Sequence, residues 1–203
     1  MGDPTKFKYI SEYYAFNISL VILLVSELFI YFYTYQKSRG KKANNKDRGT
    51  KWLLYLNFIA CIMLSFYCVS HAAPKVIRQA VFPSFVADIG IILILVGIVI
   101  RVKSVLTLKK FFTLNVQTAK EQRLITSGLY HKVRHPAYSG SIVSLLGVSL
   151  SLRSVLSTCL VLACCIVCYH VRIKVEEKAL QEQFSEEYAA YKKKTYRLFP
   201  YIF

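Results

Sequence analysis

Apolar runs separated by basic loops dominate this chain and leave few folds open to it. Five such runs are visible, at about 13–35, 52–73, 84–100, 139–152 and 155–171. The first three are long enough, at ~1.5 Å per residue, to cross or nearly cross a ~30 Å hydrocarbon core. The last two are short, and the two residues between them, Arg153 and Ser154, predict an antiparallel helical hairpin. Backbone polar groups in lipid must bond within their own segment, so spans of this kind are helical. The expectation is an all-α, polytopic membrane protein with about five transmembrane helices.

Charge decides between a membrane and a nucleic-acid partner. The formal net charge is +16, which in a soluble chain would suggest nucleic acid, but 55% of the residues are hydrophobic and mean hydropathy is +0.39. The cations also lie between the apolar runs: 22 of 27 Lys and Arg fall in 36–51, 101–138 and 172–203. That is the pattern of topology-setting loops, so the expected partner is the bilayer and not nucleic acid. With five spans those three segments share one side, which the positive-inside rule makes cytoplasmic. The N-terminus is then outside and the C-terminus cytoplasmic, in a bacterial or archaeal plasma membrane or, in a eukaryote, the endoplasmic reticulum. Met1 to Ser11 is polar and the run behind it is long enough to stay as a span, so no cleaved signal peptide is expected.

All six cysteines, Cys61, Cys68, Cys159, Cys164, Cys165 and Cys168, lie inside apolar runs. Cys165 and Cys168 form a CxxC, but with no second pair or His cluster they read as small packing residues. Neither a metal nor a disulfide is expected. Glu27, within the first span, is costly if it faces lipid, so it should turn toward another helix, in a structural hydrogen bond in preference to a catalytic role.

Two polar clusters stand out on the cytoplasmic side. The stretch Gly128-Leu129-Tyr130-His131-Lys132-Val133-Arg134-His135-Pro136-Ala137-Tyr138-Ser139-Gly140 sits where an apolar run begins. Pro136 suits a first helical turn, which places Arg134 and His135 just before a helix N-terminus that attracts anions. Taken alone, the stretch could equally be a basic cluster that only sets topology. The fifth run ends in Tyr169-His170-Val171-Arg172-Ile173-Lys174-Val175-Glu176-Glu177. If the helix continues, Arg172 and Glu176 share a face; an ordinary ion pair and a pair of ligands both fit.

Together the clusters resemble the isoprenylcysteine carboxyl methyltransferase family of membrane enzymes. The likeness rests on Leu124-Ile125-Thr126-Ser127-Gly128-Leu129-Tyr130, on Arg134-His135-Pro136-Ala137-Tyr138-Ser139-Gly140, and on Arg172-x-x-x-Glu176-Glu177. Phe184-Ser185-Glu186-Glu187-Tyr188-x-x-Tyr191 and Arg197-Leu198-Phe199-Pro200 resemble the family's end. The match spans roughly 111–201, and the chain's length resembles the compact prokaryotic members. It divides the chain into N-terminal spans at 1–110 and a methyltransferase-like region at 111–203, with a cofactor pocket on the cytoplasmic face.

The resemblance implies S-adenosylmethionine as cofactor and a lipophilic, prenylated or similar carboxylate as acceptor. It implies cofactor contacts from Gln117, Gln122, Arg123, Leu124, Ile125, Tyr130, His135, Pro136, Ala137, Tyr138 and Glu176. Many relatives have His where Gln122 stands, and the spacing that identifies Gln117 is shorter here. Arg172 matches the substrate arginine, the residue expected to hold the acceptor and serve catalysis. A guanidinium grips a carboxylate in a fixed two-pronged geometry. Three rivals remain: a phospholipid or amine N-methyltransferase, a sterol-type reductase using NADPH, and a non-enzymatic polybasic membrane protein.

Overall fold

The computed structural model describes residues 7–38, 44–45, 49–108, 117–118 and 124–201. Six helices account for most of them: α1 (Ile10–Ser38), α2 (Thr50–Val69), the short α3 (Lys75–Gln79), α4 (Phe85–Leu108), α5 (Pro136–Ser151) and α6 (Val155–Lys194). Two two-residue strands, β1 (Asn44–Asn45) and β2 (Gln117–Thr118), pair antiparallel. The protein is a helical, polytopic membrane protein. Four helices, α1, α2, α4 and α6, are long and apolar enough to cross a membrane. Their outward faces carry exposed Val21, Leu28, Ile59, Met63, Ile92 and Ile166, the surface that lipid would cover.

The expected fourth span, 139–152, is α5, and its position differs from a lipid-facing helix. Its 16 residues reach only ~24 Å, and thirteen of them are buried. Five serines and two glycines make it narrow, so its neighbours close around it. On one side Val148 and Leu152 join Phe16, Leu23, Ala87, Ile94 and Ile98 of α1 and α4. On the other, Tyr138, Ile142 and Leu145 join Cys61 of α2 and Val161, Cys165, Tyr169 and Ile173 of α6. The six cysteines are free thiols, and Cys165 of the CxxC is buried in that second cluster.

The closest contact is α4 against α5, although the expected hairpin is α5 with α6. A Cβ on Gly97 would lie 2.5 Å from the Gly140 carbonyl, and one on Gly140 would lie 2.7 Å from the Gly97 carbonyl. Gly90 and Gly147 repeat the arrangement, each 2.7 Å from the other's carbonyl. The spacing of seven residues on both helices is two turns, so the glycines form one continuous seam.

The loops sort into two ends, as alternating spans require. At one end β1, from the first loop, pairs with β2, from the third, and Val133 bridges Tyr196 of the tail. At the other, Val81 bridges Ser154, and Phe82 N donates to Arg153 O at 2.8 Å. Ser154 caps α6, its Oγ accepting from Ser157 N at 3.2 Å.

Helix boundaries depart from the expectation where polar residues find protein partners. α4 runs on through Arg101 to Leu108, because Arg101 ion-pairs with Glu27 of α1, with Nη2 to Oε2 at 2.8 Å. Glu27 is thus a structural partner, and the pair satisfies two charges at membrane depth. α6 continues far past its apolar run at 155–171 and breaks at Ser185, where φ is 38°. A straight helix would carry Lys192 ~27 Å beyond Lys174. The break instead returns the chain, so that Arg134 donates to Lys192 O at 3.2 Å.

Candidate functional site

Three elements meet at the end of the bundle that holds both motifs: the turn Gly128–His131, the first turn of α5, and the part of α6 just past its apolar run. Gly128 takes φ 61°, which lets the chain turn abruptly from extended Ser127 into Tyr130. Pro136 opens α5 as its first residue, so His135 is the residue before the helix and Tyr138 lies one turn inside.

His135 and Tyr138 stack, with ring centroids 5.6 Å apart and planes 10° from parallel. Tyr138 Oη donates to Glu176 Oε2 at 2.6 Å and accepts from Arg172 Nε at 2.9 Å. A phenol has one proton to give, so these two bonds fix its direction. Arg172 and Glu176, four apart on α6, are therefore joined through a residue of α5. Arg172 is 2% exposed, and its Nη1 donates to Thr50 Oγ1 at the start of α2 at 2.6 Å. Glu176 stays partly open, with 29% of its side chain exposed. Tyr130 lies near it: burial first, then the Glu176 carboxylate, push its phenol well above the ordinary value and keep it neutral. Pro136 and Ala137 are buried in the first turn of α5.

Glu177 has a different job from its neighbour. It accepts from Arg134 Nε at 3.0 Å and Arg197 Nη2 at 3.2 Å, and His135 Nε2 lies 3.4 Å away. Burial pulls its carboxyl up, but the His135 bond and charge, then Arg134 and Arg197, outweigh that and hold it at about 2. Glu177 therefore clamps the motif loop and the chain end to α6. A depressed carboxylate contributes stability above its unfolded value and loses it as pH falls through the folded one. Glu177→Gln should cost about 3 kcal/mol, since it takes the carboxylate from one buried cation, Arg134, and one partly exposed cation, Arg197. It should also flatten the fall in stability of the purified protein between about pH 5 and pH 2. Unfolding temperatures equal to wild type at neutral pH would remove Glu177 from this role.

Of the residues singled out from sequence, the structure brings Tyr130, His135, Tyr138, Arg172 and Glu176 together. The backbone of Gln117 lies in β2, alongside α6. Gln122 and Arg123 lie outside the described residues. Residues that sequence reasoning missed are Thr50, the Glu177 clamp with Arg134 and Arg197, and Arg101, whose Nη1 donates to Ala137 O at 3.2 Å. Arg134, Glu177 and Arg197 stood in the motifs; Thr50 and Arg101 carried no signal.

Comparison with known proteins adds independent findings. The family model described as phospholipid methyltransferase matches residues 86–187, half of the chain. A probable protein-S-isoprenylcysteine O-methyltransferase of Oryza sativa subsp. indica is 32% identical over 120 residues, covering 58% of this chain and 63% of that protein. The protein-S-isoprenylcysteine O-methyltransferase of Saccharomyces cerevisiae is 28% identical over 195 residues, 92% of this chain and 80% of that one. The chain thus spans less than two thirds of the length of the rice relative. The solved structure of the eukaryotic intramembrane Ras methyltransferase ICMT aligns with a TM-score of 0.60 at 23% identity, covering 73% of this chain and 53% of that one. At that identity the likeness speaks for a shared fold.

Proposed function

The chain belongs to the phospholipid methyltransferase family, and from that premise we propose that it is an S-adenosylmethionine-dependent methyltransferase acting on the carboxylate of a membrane-embedded, isoprenylcysteine-like substrate. One observation carries the reading: the Tyr138 hydroxyl joins a buried cation, Arg172, to a partly open carboxylate, Glu176. The site thus offers a place for a cationic donor beside a place for an anionic acceptor.

The residues fit the donor. Glu176 suits an ammonium or ribose hydroxyls, and the stacked His135 and Tyr138 rings and neutral Tyr130 offer π faces and hydrogen bonds to its cationic and aromatic parts. When bound, S-adenosylmethionine would supply a sulfonium methyl, which the acceptor oxygen would take in a new O–C bond while the S–C electron pair stayed on sulfur. Arg172 holds the acceptor, which would replace Thr50 at Nη1 and trade a neutral partner for a charged one. A carboxylate is already ionised at neutral pH, so no side chain need take a proton. The protein's contribution is positioning and exclusion of water. His135 orients by stacking and needs no acid–base role.

The test offers labelled S-adenosylmethionine with a prenylcysteine analogue or with a lipid extract. Base-labile label marks an ester and supports the reading; base-stable label marks an N-methyl product. The second outcome would favour amine methylation, the reading that the family model's description supports. Glu176→Gln should weaken S-adenosylmethionine binding roughly tenfold to a hundredfold, the worth of one charge-assisted bond of about 1.5–3 kcal/mol. Unchanged affinity by calorimetry would take Glu176 out of the site.

The cation distribution supports an outside N-terminus, with the catalytic end in the cytoplasm. Cysteines introduced at Asn44 and Lys193 should both label from the cytoplasmic side. Labels on opposite sides would overturn the alternation.

A further inference from the structure

Behind the proposed catalytic site, on the opposite face of α6, lies a cleft of about 570 Å³. His170, Lys174, Lys178 and Gln181 line it from α6, and Lys192 and Arg197 from the returning chain end. Arg172 and Glu176 project about half a turn away from Lys174, so the cleft opens on a different face of α6, with Glu177, which meets His135 at 3.4 Å, standing between the two. Its acidic members are Glu177, engaged by Arg134 and Arg197, and Glu182. The lining therefore holds four Lys or Arg against two carboxylates.

Its position along α6 matters as much as its charge. Ile166 and Val167 are 60% and 62% exposed and belong to the apolar run at membrane depth. One turn further on, His170 follows Ile166, and Lys174 and Lys178 follow at the same spacing of four. A bare apolar strip thus runs straight into a basic cleft at the membrane edge. That is the shape of an amphiphile with an anionic head. Lysines at this depth could simply snorkel to water. Snorkelling does not account for the concavity, or for Lys192, which the break at Ser185 brings back from eighteen residues further along the chain.

We propose that this cleft binds the headgroup of an anionic phospholipid of the same leaflet, its phosphate among Lys174, Lys178 and Lys192 and its acyl chains along Ile166 and Val167. The site would anchor α6 at a fixed depth, with Arg172 and Glu176 level with the membrane edge. It is independent of the methyl-transfer reading, because binding is measured without donor or acceptor.

The test is native mass spectrometry of the full chain, released from nanodiscs of phosphatidylcholine with a minority of phosphatidylglycerol. Wild type should retain phosphatidylglycerol over phosphatidylcholine. The triple variant Lys174→Gln, Lys178→Gln, Lys192→Gln should lose that preference, at about fivefold per lysine and on the order of a hundredfold together. A charge-matched control, Lys103→Gln, Lys193→Gln, Lys194→Gln, should keep it. Equal loss in both triples would mean general attraction to an anionic surface and would overturn the site. So would competition by glycerol phosphate as effective as that of the lipid, which would make the ligand a soluble phosphate. Unfolding temperatures of both triples guard the comparison: a folded cleft variant that still retains the lipid sinks the proposal.

Discussion

Arg172→Lys is expected to lower methyl transfer by about a hundredfold while S-adenosylmethionine affinity changes little. The side chain is buried and works from two nitrogens in two directions, toward Tyr138 on α5 and Thr50 on α2. A lysine keeps the charge but gives up the rigid fork, so it can hold one of those partners or an acceptor carboxylate, not the set. The loss of one such bond to a charged group is worth about 1.5–3 kcal/mol, hence the magnitude. Glu176, assigned to the donor, still receives its bond from Tyr138. Turnover and donor affinity measured on the same preparation separate the outcomes. Full activity in Arg172→Lys would sink the clamp, and parallel loss of donor binding would move Arg172 to the donor side. An amine acceptor with a phosphate group predicts a milder loss, because a phosphate is met nearly as well by a point charge.

Gly97→Ala and Gly140→Ala should each cost about 3 kcal/mol of stability, the upper end of what overpacking costs. The new methyl would sit 2.3 Å from Ser144 Oγ at position 97, and 2.7 Å from the Arg101 amide at position 140. Neither neighbour can give way cheaply, since the Arg101 backbone lies within α4 and Ser144 Oγ is held by the Gly140 carbonyl at 3.0 Å. Gly97→Leu should leave no folded protein in detergent. The exposed position Ala163 serves as control, where leucine should be tolerated. Thermal unfolding of the alanine variants at the wild-type temperature would show that α4 and α5 can separate without penalty. Any loosening should also reach the site, because Arg101 bonds to Ala137, the residue before Tyr138.

What could be read from the chain follows from the range over which each signal acts. Hydropathy is summed over about twenty neighbouring residues, so the apolar segments and their alternation between two ends were legible. The motif side chains were legible because their spacing along a helix determines which of them share a face. Leu108 as the end of α4 was not, since the charge of Arg101 marked a loop until Glu27, 74 residues away, supplied a partner. The central place of α5 was hidden for a related reason: serine and glycine carry little hydropathy, and their value is the close approach of a second helix.

The same division runs through the site. Sequence by itself determined that Arg172 and Glu176, four apart, share one face of α6 and that Pro136 starts the helix bearing Tyr138; that the three serve one chemistry was what the family resemblance implied. Only the tertiary structure decided that Glu176 faces the open side while Glu177 is a buried clamp. Adjacent helical residues point ~100° apart, and which of the two meets Arg134 and Arg197 depends on where the motif loop and the returning tail lie. Thr50 meets Arg172 across 122 residues for the same reason: a hydrogen bond between helices depends on distance in space, and sequence spacing carries no record of it.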